Sequence, residues 1–235
     1  MKSALMLAGA LAVFAGSACA GGTYESYDAF YAAQPGTVFG DPIKFDAGVV
    51  YSGADGQGVQ TELRTTLGAK AVRVALADDR ITVNGKTYRY ASAATLPGEH
   101  PADFPPQSAD VFLAARTNAH RAVLCVQGDS NGSGEADRHK QIYLLINPLA
   151  PTDHATFLHL PSLFSSCRAV LATKDGEFIL PMNSYMFDDA QEFRVGLLVS
   201  YYTFEDRRFA PTLDEIRLRF TRPESPFEFS IEGKK

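Results

Sequence analysis

The chain has 235 residues, of which 27 are acidic and 22 basic, so its formal net charge is −5 at pH 7. This small acidic excess and the lack of a long basic run argue against a nucleic-acid partner and give only a weak preference for cationic partners. Hydrophobic residues form 46% of the chain, which is ordinary for a globular core.

The start of the chain has the pattern of a secretory signal peptide over residues 1–20. A short basic start precedes an apolar stretch over residues 4–16, and Ala18-Cys19-Ala20 supplies small residues at the cleavage site. We expect a mature chain that begins at Gly21 and lies in the periplasm or outside the cell. A lipoprotein signal acylated at Cys19 is the alternative, and it would tether the protein to a membrane. No later segment approaches the roughly 18 apolar residues of a transmembrane helix, so none is expected in the mature chain.

Removal of the signal peptide leaves two cysteines, Cys125 and Cys167. In an oxidising compartment, such a pair predicts a disulfide bond. The bond would join the strand before an acidic loop to the segment that starts at Ser166. Two buried free thiols are the alternative.

One short helix is predicted near the start of the mature chain, over Tyr24 to Gln34. Tyr27, Phe30 and Tyr31 share one helical face, and Pro35-Gly36 ends the pattern.

Short apolar segments between turn residues predict β-strands over the rest of the chain. The clearest hairpin is Arg80–Tyr90, in which Asn84-Gly85 suits a type I′ turn because both residues tolerate positive φ. The stretch Leu96–Pro106 contains four prolines and is interpreted as an exposed connection. A buried central strand is predicted over Phe193–Phe204, and residues 148–161 are predicted to be irregular. Further strands are predicted at residues 37–39, 43–45, 49–51, 61–67, 71–76, 111–115, 168–172, 178–181, 216–220 and 227–231.

Many short strands, hairpin turns and few helices predict a mainly β fold, an antiparallel β-sandwich or irregular barrel with one short N-terminal helix. The strands do not alternate with helices, which argues against a parallel α/β sheet. We expect residues 21–235 to form a single domain, with 96–106 as the internal boundary if there are two.

The segment from Val123 to Asn147 holds the best candidate ligand site. Two apolar strands flank an acidic loop in which Asp129, Asn131 and Ser133 place oxygen atoms at alternate positions. Calcium takes six to eight oxygen ligands, and alternation lets a short loop supply them. An EF-hand is excluded because an EF-hand loop lies between two helices, whereas the segments that flank this loop are strand-like. In addition, Lys140 occupies the position at which an EF-hand requires a bidentate glutamate.

The loop resembles the Asp-x-Asn-Gly-x-Gly-x-x-Asp calcium loops between strands of integrin-type propeller blades. The resemblance covers residues 129–137, and Ser133 stands where an aspartate is usual. A plain solvated hairpin loop is the alternative, since Gly, Ser, Asn and Asp are also ordinary loop residues. The resemblance implies a calcium ion held by the side chains of Asp129, Asn131, Ser133 and Asp137 and by the carbonyl of Glu135.

No catalytic constellation is predicted. His154 and His159 lack a third clear ligand for zinc, and we interpret them as solvated loop residues. The carboxylate pairs Asp188-Asp189 and Glu205-Asp206 are interpreted as turn and surface residues, because adjacent strand residues point to opposite faces. The aromatic residues Tyr201, Tyr202 and Phe204 would suit a ligand cleft, but their strand spacing favours the core.

These observations predict an exported, disulfide-bonded, mainly β binding protein without catalytic residues. Its partner would be a protein or an envelope glycan, as for a periplasmic inhibitor or a toxin-neutralising, immunity-type protein. The alternative is a secreted hydrolase with a structural calcium site. An enzyme should present a deep cleft with converging polar groups, whereas a binding protein should present an apolar surface with aromatic side chains.

Overall fold

A computed structural model gives the fold of the protein. It describes residues 22–43, 49–50, 60–67, 70–114, 122–130, 138–151, 154–161 and 163–233. The signal-peptide prediction falls on residues outside these ranges.

The described residues form one α-helix and a succession of strands. Short 3₁₀ helices lie at Tyr90–Ser92, Pro106–Ser108 and Cys167–Ala169. The helix is α1 (Tyr27–Ala32), and the strands are β1 (Thr23–Tyr24), β2 (Val49–Val50), β3 (Gln60–Leu67), β4 (Lys70–Ala77), β5 (Arg80–Val83), β6 (Lys86–Arg89), β7 (Asp110–Ala114), β8 (Val123–Asp129), β9 (Lys140–Ile146), β10 (Thr156–Leu160), β11 (Leu171–Ala172), β12 (Phe178–Phe187), β13 (Arg194–Glu205), β14 (Arg208–Arg222) and β15 (Ser225–Ile231).

The strands form three antiparallel sheets. Their orders are β2-β3-β4-β5-β6, β10-β9-β8-β7 and β1-β15-β14-β13-β12-β11. No sheet closes into a barrel in the described part of the chain, and the fold is sandwich-like. The predicted mainly β, antiparallel class with a single short helix is therefore confirmed.

The four-stranded sheet is the middle layer, and both of its faces are buried. Leu124 and Val126 of β8 pack with the five-stranded sheet, whereas Val123 and Cys125 pack with β12 on the opposite side. Alternate residues of a strand point to opposite faces, so the sequence of a strand that is buried on both faces is a continuous apolar run. Each such side chain contributes about 1.5–3 kcal/mol by burial.

The helix α1 covers one face of the six-stranded sheet. Phe30 and Tyr31 are completely buried against it, and Ser26 caps the helix by accepting a hydrogen bond from the Ala29 amide. The helix is shorter than predicted because Thr23–Tyr24 pairs with β15 as a strand instead. That pairing anchors the start of the described chain to its last strand.

The Asn84-Gly85 hairpin is confirmed. Both residues have positive φ, 48° and 83°, as a type I′ turn requires. Asn84 adds a second function, because its Oδ1 accepts a hydrogen bond of 2.8 Å from the Arg73 amide on the neighbouring strand.

Two predictions about proline-containing stretches are only partly right. Residues 148–161 are not irregular throughout, since Thr156–Leu160 forms the edge strand β10. The stretch Leu96–Pro106 is a connection without strands, as predicted, but it is exposed only in part: Pro97 and Asp103 are exposed, whereas Leu96 and Phe104 are 4% and 1% exposed. The Phe104 ring lies against Gly128, where an added Cβ would come within 2.1 Å of the ring. Apolar residues between the prolines therefore fold back into the core.

Among the described residues, no helix is long and apolar enough to cross a membrane.

Candidate functional site

The predicted calcium loop is described at its two ends only. Asp129 is exposed at the end of β8, and its amide donates a 3.1 Å hydrogen bond to Ser108 Oγ. The register of the hairpin places Lys140 directly opposite Asp129. Asn131, Ser133, Glu135 and Asp137 lie outside the described residues, so the ligand set stays a prediction. The residues that are described contain no cluster of His, Cys, Asp and Glu that would hold a metal ion.

The two cysteines lie at disulfide distance. Their sulfur atoms are 2.01 Å apart, and both side chains are completely buried. Cys125 belongs to β8 in the middle sheet, while Cys167 lies in the 3₁₀ helix that leads to β11 of the six-stranded sheet. The bond therefore joins two sheets. The Cys167 amide also donates a 2.8 Å hydrogen bond to Gln127 Oε1 of β8, so a second interaction connects the 3₁₀ helix to the middle sheet.

His159 is not a solvated loop residue, because it lies on β10 and is 1% exposed. Its Nε2 is 2.9 Å from Gln141 Oε1, and its Nδ1 is 3.2 Å from Thr95 Oγ1. The Tyr143 ring centroid lies 5.1 Å away. Burial lowers the pKa of His159 to about 4, because the charged imidazolium would lose its hydration. The imidazole is therefore neutral at physiological pH, while His154 is exposed as expected.

The acidic pairs have different surroundings. Asp188 Oδ1 accepts hydrogen bonds from the amides of Glu192 and Phe193, so it stabilises a turn as predicted. Glu205 and Asp206 are exposed at the hairpin that joins β13 to β14. The aromatic residues that the sequence analysis considered for a ligand cleft were Tyr201, Tyr202 and Phe204. Tyr201 is buried, whereas Phe204 lies at the side of a cleft.

One end of the six-stranded sheet carries a cluster of aromatic and arginine side chains that we call the aromatic end. It lies where β12 meets β13 and where β14 turns into β15. Three exposed large hydrophobic side chains lie at this end of the sheet: Phe187 is 43% exposed, Phe193 50% and Phe227 64%. The side chains in contact with one another are those of Tyr27, Arg138, Phe164, Tyr185, Arg194 and Phe227, while Phe187 and Phe193 flank the adjoining turn between β12 and β13.

Phe164 is the centre of the aromatic end. Its ring stacks on Tyr27 with centroids 4.6 Å apart and meets Tyr185 and Phe227 edge-on at 6.2 and 6.3 Å. Offset stacking and edge-to-face contacts are the favourable aromatic geometries, each contributing about 0.5–1.5 kcal/mol beyond burial. The rings therefore support one another in fixed orientations.

Two arginines hold the rings in place. The Arg194 guanidinium lies 4.3 Å from the Tyr185 ring centroid, and that of Arg138 lies 5.8 Å from Phe164. Arg138 also donates a 2.8 Å hydrogen bond to the Tyr185 hydroxyl. In the sequence, Arg138 is the residue that follows the predicted calcium loop, residues 129–137.

The backbone at Phe164 is held in an uncommon conformation. Its φ is 46°, in the left-handed region that bulky residues rarely adopt. Its amide donates to the Arg138 carbonyl at 2.8 Å, and its own carbonyl accepts from Asn183 Nδ2 at 3.2 Å. Strain of this kind persists only where surrounding contacts impose it, and it is frequent at functional sites.

Sequence analysis did not identify the aromatic end. Its members come from α1, from Arg138 before β9, from the segment before the 3₁₀ helix at residue 167, and from β12, β13 and β15. Phe227 lies in the strand predicted at residues 227–231, but nothing in that prediction indicated that its ring faces solvent.

No protein-family model, curated protein or solved structure matches the chain. The site is therefore interpreted from its own geometry.

Proposed function

We propose that this is an exported binding protein of the cell envelope that docks a protein partner through its aromatic end, as an inhibitor or immunity-type protein does. The observation that carries the proposal is the exposure of Phe187, Phe193 and Phe227 at the end of the sheet that also carries a packed frame of tyrosine, phenylalanine and arginine. Aromatic residues and arginine are enriched at protein interfaces, and a few of them supply most of the binding energy.

The framework of the aromatic end supports this role. The Tyr27 hydroxyl donates a 2.8 Å hydrogen bond to the Pro226 carbonyl, which holds the start of β15 and its Phe227 against the helix. Burial raises the pKa of Tyr27 well above its usual range, so the hydroxyl keeps its proton. Surfaces that are rigid before binding lose less conformational entropy when a partner docks.

The triple variant Phe187→Ala, Phe193→Ala and Phe227→Ala is expected to lose partner binding. A hot-spot residue costs about 2 kcal/mol or more on truncation, so the Kd should rise roughly thirtyfold even when only one of the three residues is a hot spot. The partner is first cross-linked to the protein in its native envelope and identified, and its affinity for the purified protein is then measured by calorimetry. The melting temperature should fall only modestly, because the three side chains are already 43–64% exposed, although loss of the Phe227–Phe164 contact costs about 0.5–1.5 kcal/mol.

Leu213→Ala is the matched control. Leu213 is 102% exposed on β14, away from the aromatic end, so its truncation should leave the Kd unchanged. Equal affinity of the triple variant, or the lack of a cross-linked partner, would contradict docking at the aromatic end. If an envelope glycan is cross-linked instead of a protein, the partner proposed here is wrong and the protein binds a glycan. Hydrolysis of an ester, glycan or peptide that one substitution abolishes would favour the hydrolase alternative.

The calcium site remains part of the proposal. If the loop binds calcium, the melting temperature should be higher in millimolar calcium than in chelator. When the free calcium concentration is about 100 times the dissociation constant, binding stabilises the folded protein by about 2.7 kcal/mol. Asp129→Ala should abolish the increase, since Asp129 is the first predicted ligand. Asp175→Ala, an exposed acid in another hairpin turn, should retain it. Thermal unfolding measures both, and an unchanged melting temperature of the unsubstituted protein would contradict the site.

A further inference from the structure

A cleft of about 370 Å³ lies at the junction of the middle sheet and the six-stranded sheet, and we call it the junction cleft. Ile146 of β9 and Leu158 of β10 line one side, while Phe178 and Leu180 of β12 and Phe204 of β13 line the other. Sites for small molecules have volumes from about 300 to 1,000 Å³ and are frequent where two structural units meet. The cleft is therefore large enough for a chain of several methylene groups.

The floor of the junction cleft is apolar and well fixed. Ile146 and Phe178 are 7% and 6% exposed and form the part of the floor that solvent reaches, while Leu158 and Leu180 pack beneath them and are completely buried. The Phe204 ring packs against Phe209 with centroids 4.8 Å apart, which holds it at the side of the cleft. Such a floor favours an aliphatic occupant, because each methylene group that it buries contributes about 0.8 kcal/mol.

The rim of the junction cleft is acidic. Glu177, Glu205 and Asp206 line the cleft, and all three residues are exposed. The cations nearest to them in sequence are Lys174, Arg207 and Arg208, and none of these lines the cleft. Arg208 is the cross-strand neighbour of Glu205 and offsets part of its charge. The remaining carboxylates at the rim favour a cation at the mouth of an apolar cleft.

The backbone at the rim is also uncommon. Asp206 and Arg207 form the turn between β13 and β14, with φ of 49° and 61°. A type I′ turn of this kind favours Asn-Gly, and a residue such as arginine there costs about 1 kcal/mol or more. The turn thus keeps a carboxylate at the cleft although Asn-Gly would give a more stable hairpin.

The geometry points to a binding site for an aliphatic chain that ends in an ammonium or guanidinium group. The chain would lie on the floor formed by Ile146, Phe178 and Phe204, above the buried Leu158 and Leu180, and the cation would lie between the carboxylates of Glu177 and Asp206. A free alkyl diamine and a lysine or arginine side chain share this chemistry. The inference rests on the junction cleft alone and does not depend on docking at the aromatic end.

Titration of the full protein with 1,5-diaminopentane and with N-acetyl-lysine N-methylamide tests the site. Methyl NMR signals of Ile146, Leu158 and Leu180 should shift saturably with the amines. Neither 1-pentanol, which lacks the cation, nor ammonium chloride, which lacks the chain, should shift them in this way. Tighter binding of 1,5-diaminopentane would identify a free amine as the natural ligand, whereas tighter binding of N-acetyl-lysine N-methylamide would identify a lysine side chain. Binding should weaken as salt rises, because the rim carboxylates are exposed.

Glu177→Gln should raise the Kd for the stronger amine at least tenfold, because it removes one rim charge without changing the shape of the cleft. Asp175→Asn is the matched control, since Asp175 lies in the same turn but does not line the cleft, and its Kd should stay the same. The double variant Asp206→Asn and Arg207→Gly should melt at a higher temperature and yet bind more weakly. Absence of saturable shifts, equal binding of 1-pentanol, or an unchanged Kd in Glu177→Gln would overturn the inference.

Discussion

Replacement of either Cys125 or Cys167 by alanine is expected to lower the free energy of unfolding by about 4 kcal/mol. The two residues are 42 positions apart, and a cross-link that closes a loop of this length removes about that much conformational entropy, expressed as free energy, from the unfolded chain. The loss is a large part of the 5–15 kcal/mol that typically stabilises a domain. Denaturation by urea, monitored by circular dichroism, measures it.

The double variant should be no less stable than the less stable single variant, because each single substitution already removes the bond. Dithiothreitol provides the matched control: it should destabilise the unsubstituted protein by a similar amount and leave the double variant unchanged. Additive losses in the double variant, or equal sensitivity of both proteins to the reductant, would show that the thiols are not bonded. Alanine is chosen because both sites are completely buried, and a serine hydroxyl there would add a cost of its own.

Features that depend on neighbouring residues were predictable from the sequence. The Asn84-Gly85 turn, the hairpin of β8 and β9 and the buried strand β13 all follow from local turn chemistry and hydrophobic periodicity. The continuous apolar residues of β8 and β9 agree with their burial on both faces, but the sequence analysis did not predict it, and the three-layer arrangement depends on contacts between distant segments. Strand β10 was missed because the prolines on either side of Thr156–Leu160 favoured an irregular stretch, although these five residues include Leu158 and Leu160 at alternate positions.

The aromatic end shows why the candidate site was harder to predict than the fold. Tyr27 and Phe227 are separated by almost the whole chain, and both meet at Phe164. In the sequence, each ring is an ordinary apolar residue of its own segment, and only the folded sheet shows which of them face solvent. The left-handed backbone of Phe164 likewise depends on Asn183, a residue in another strand, and has no local sequence signal.

Acidification from pH 7 to pH 4 is expected to lower the stability of the protein by about 3 kcal/mol through His159 alone. Its pKa is about 4 in the folded protein against an ordinary value near 6.5, so the unfolded chain binds the proton more readily. The stabilising effect of the neutral imidazole is complete above pH 6.5. It decreases as the pH falls from about 6.5 to 4 and changes little below that, where both states are protonated.

His159→Gln isolates this contribution, because glutamine keeps hydrogen-bonding groups but does not titrate. Its free energy of unfolding, measured by urea denaturation between pH 7 and pH 4, should fall by about 3 kcal/mol less than that of the unsubstituted protein. Carboxylates that titrate in the same range are common to both proteins and cancel in the difference. An equal decrease in the His159→Gln variant would mean that the buried imidazole is not the group that destabilises the fold in acid.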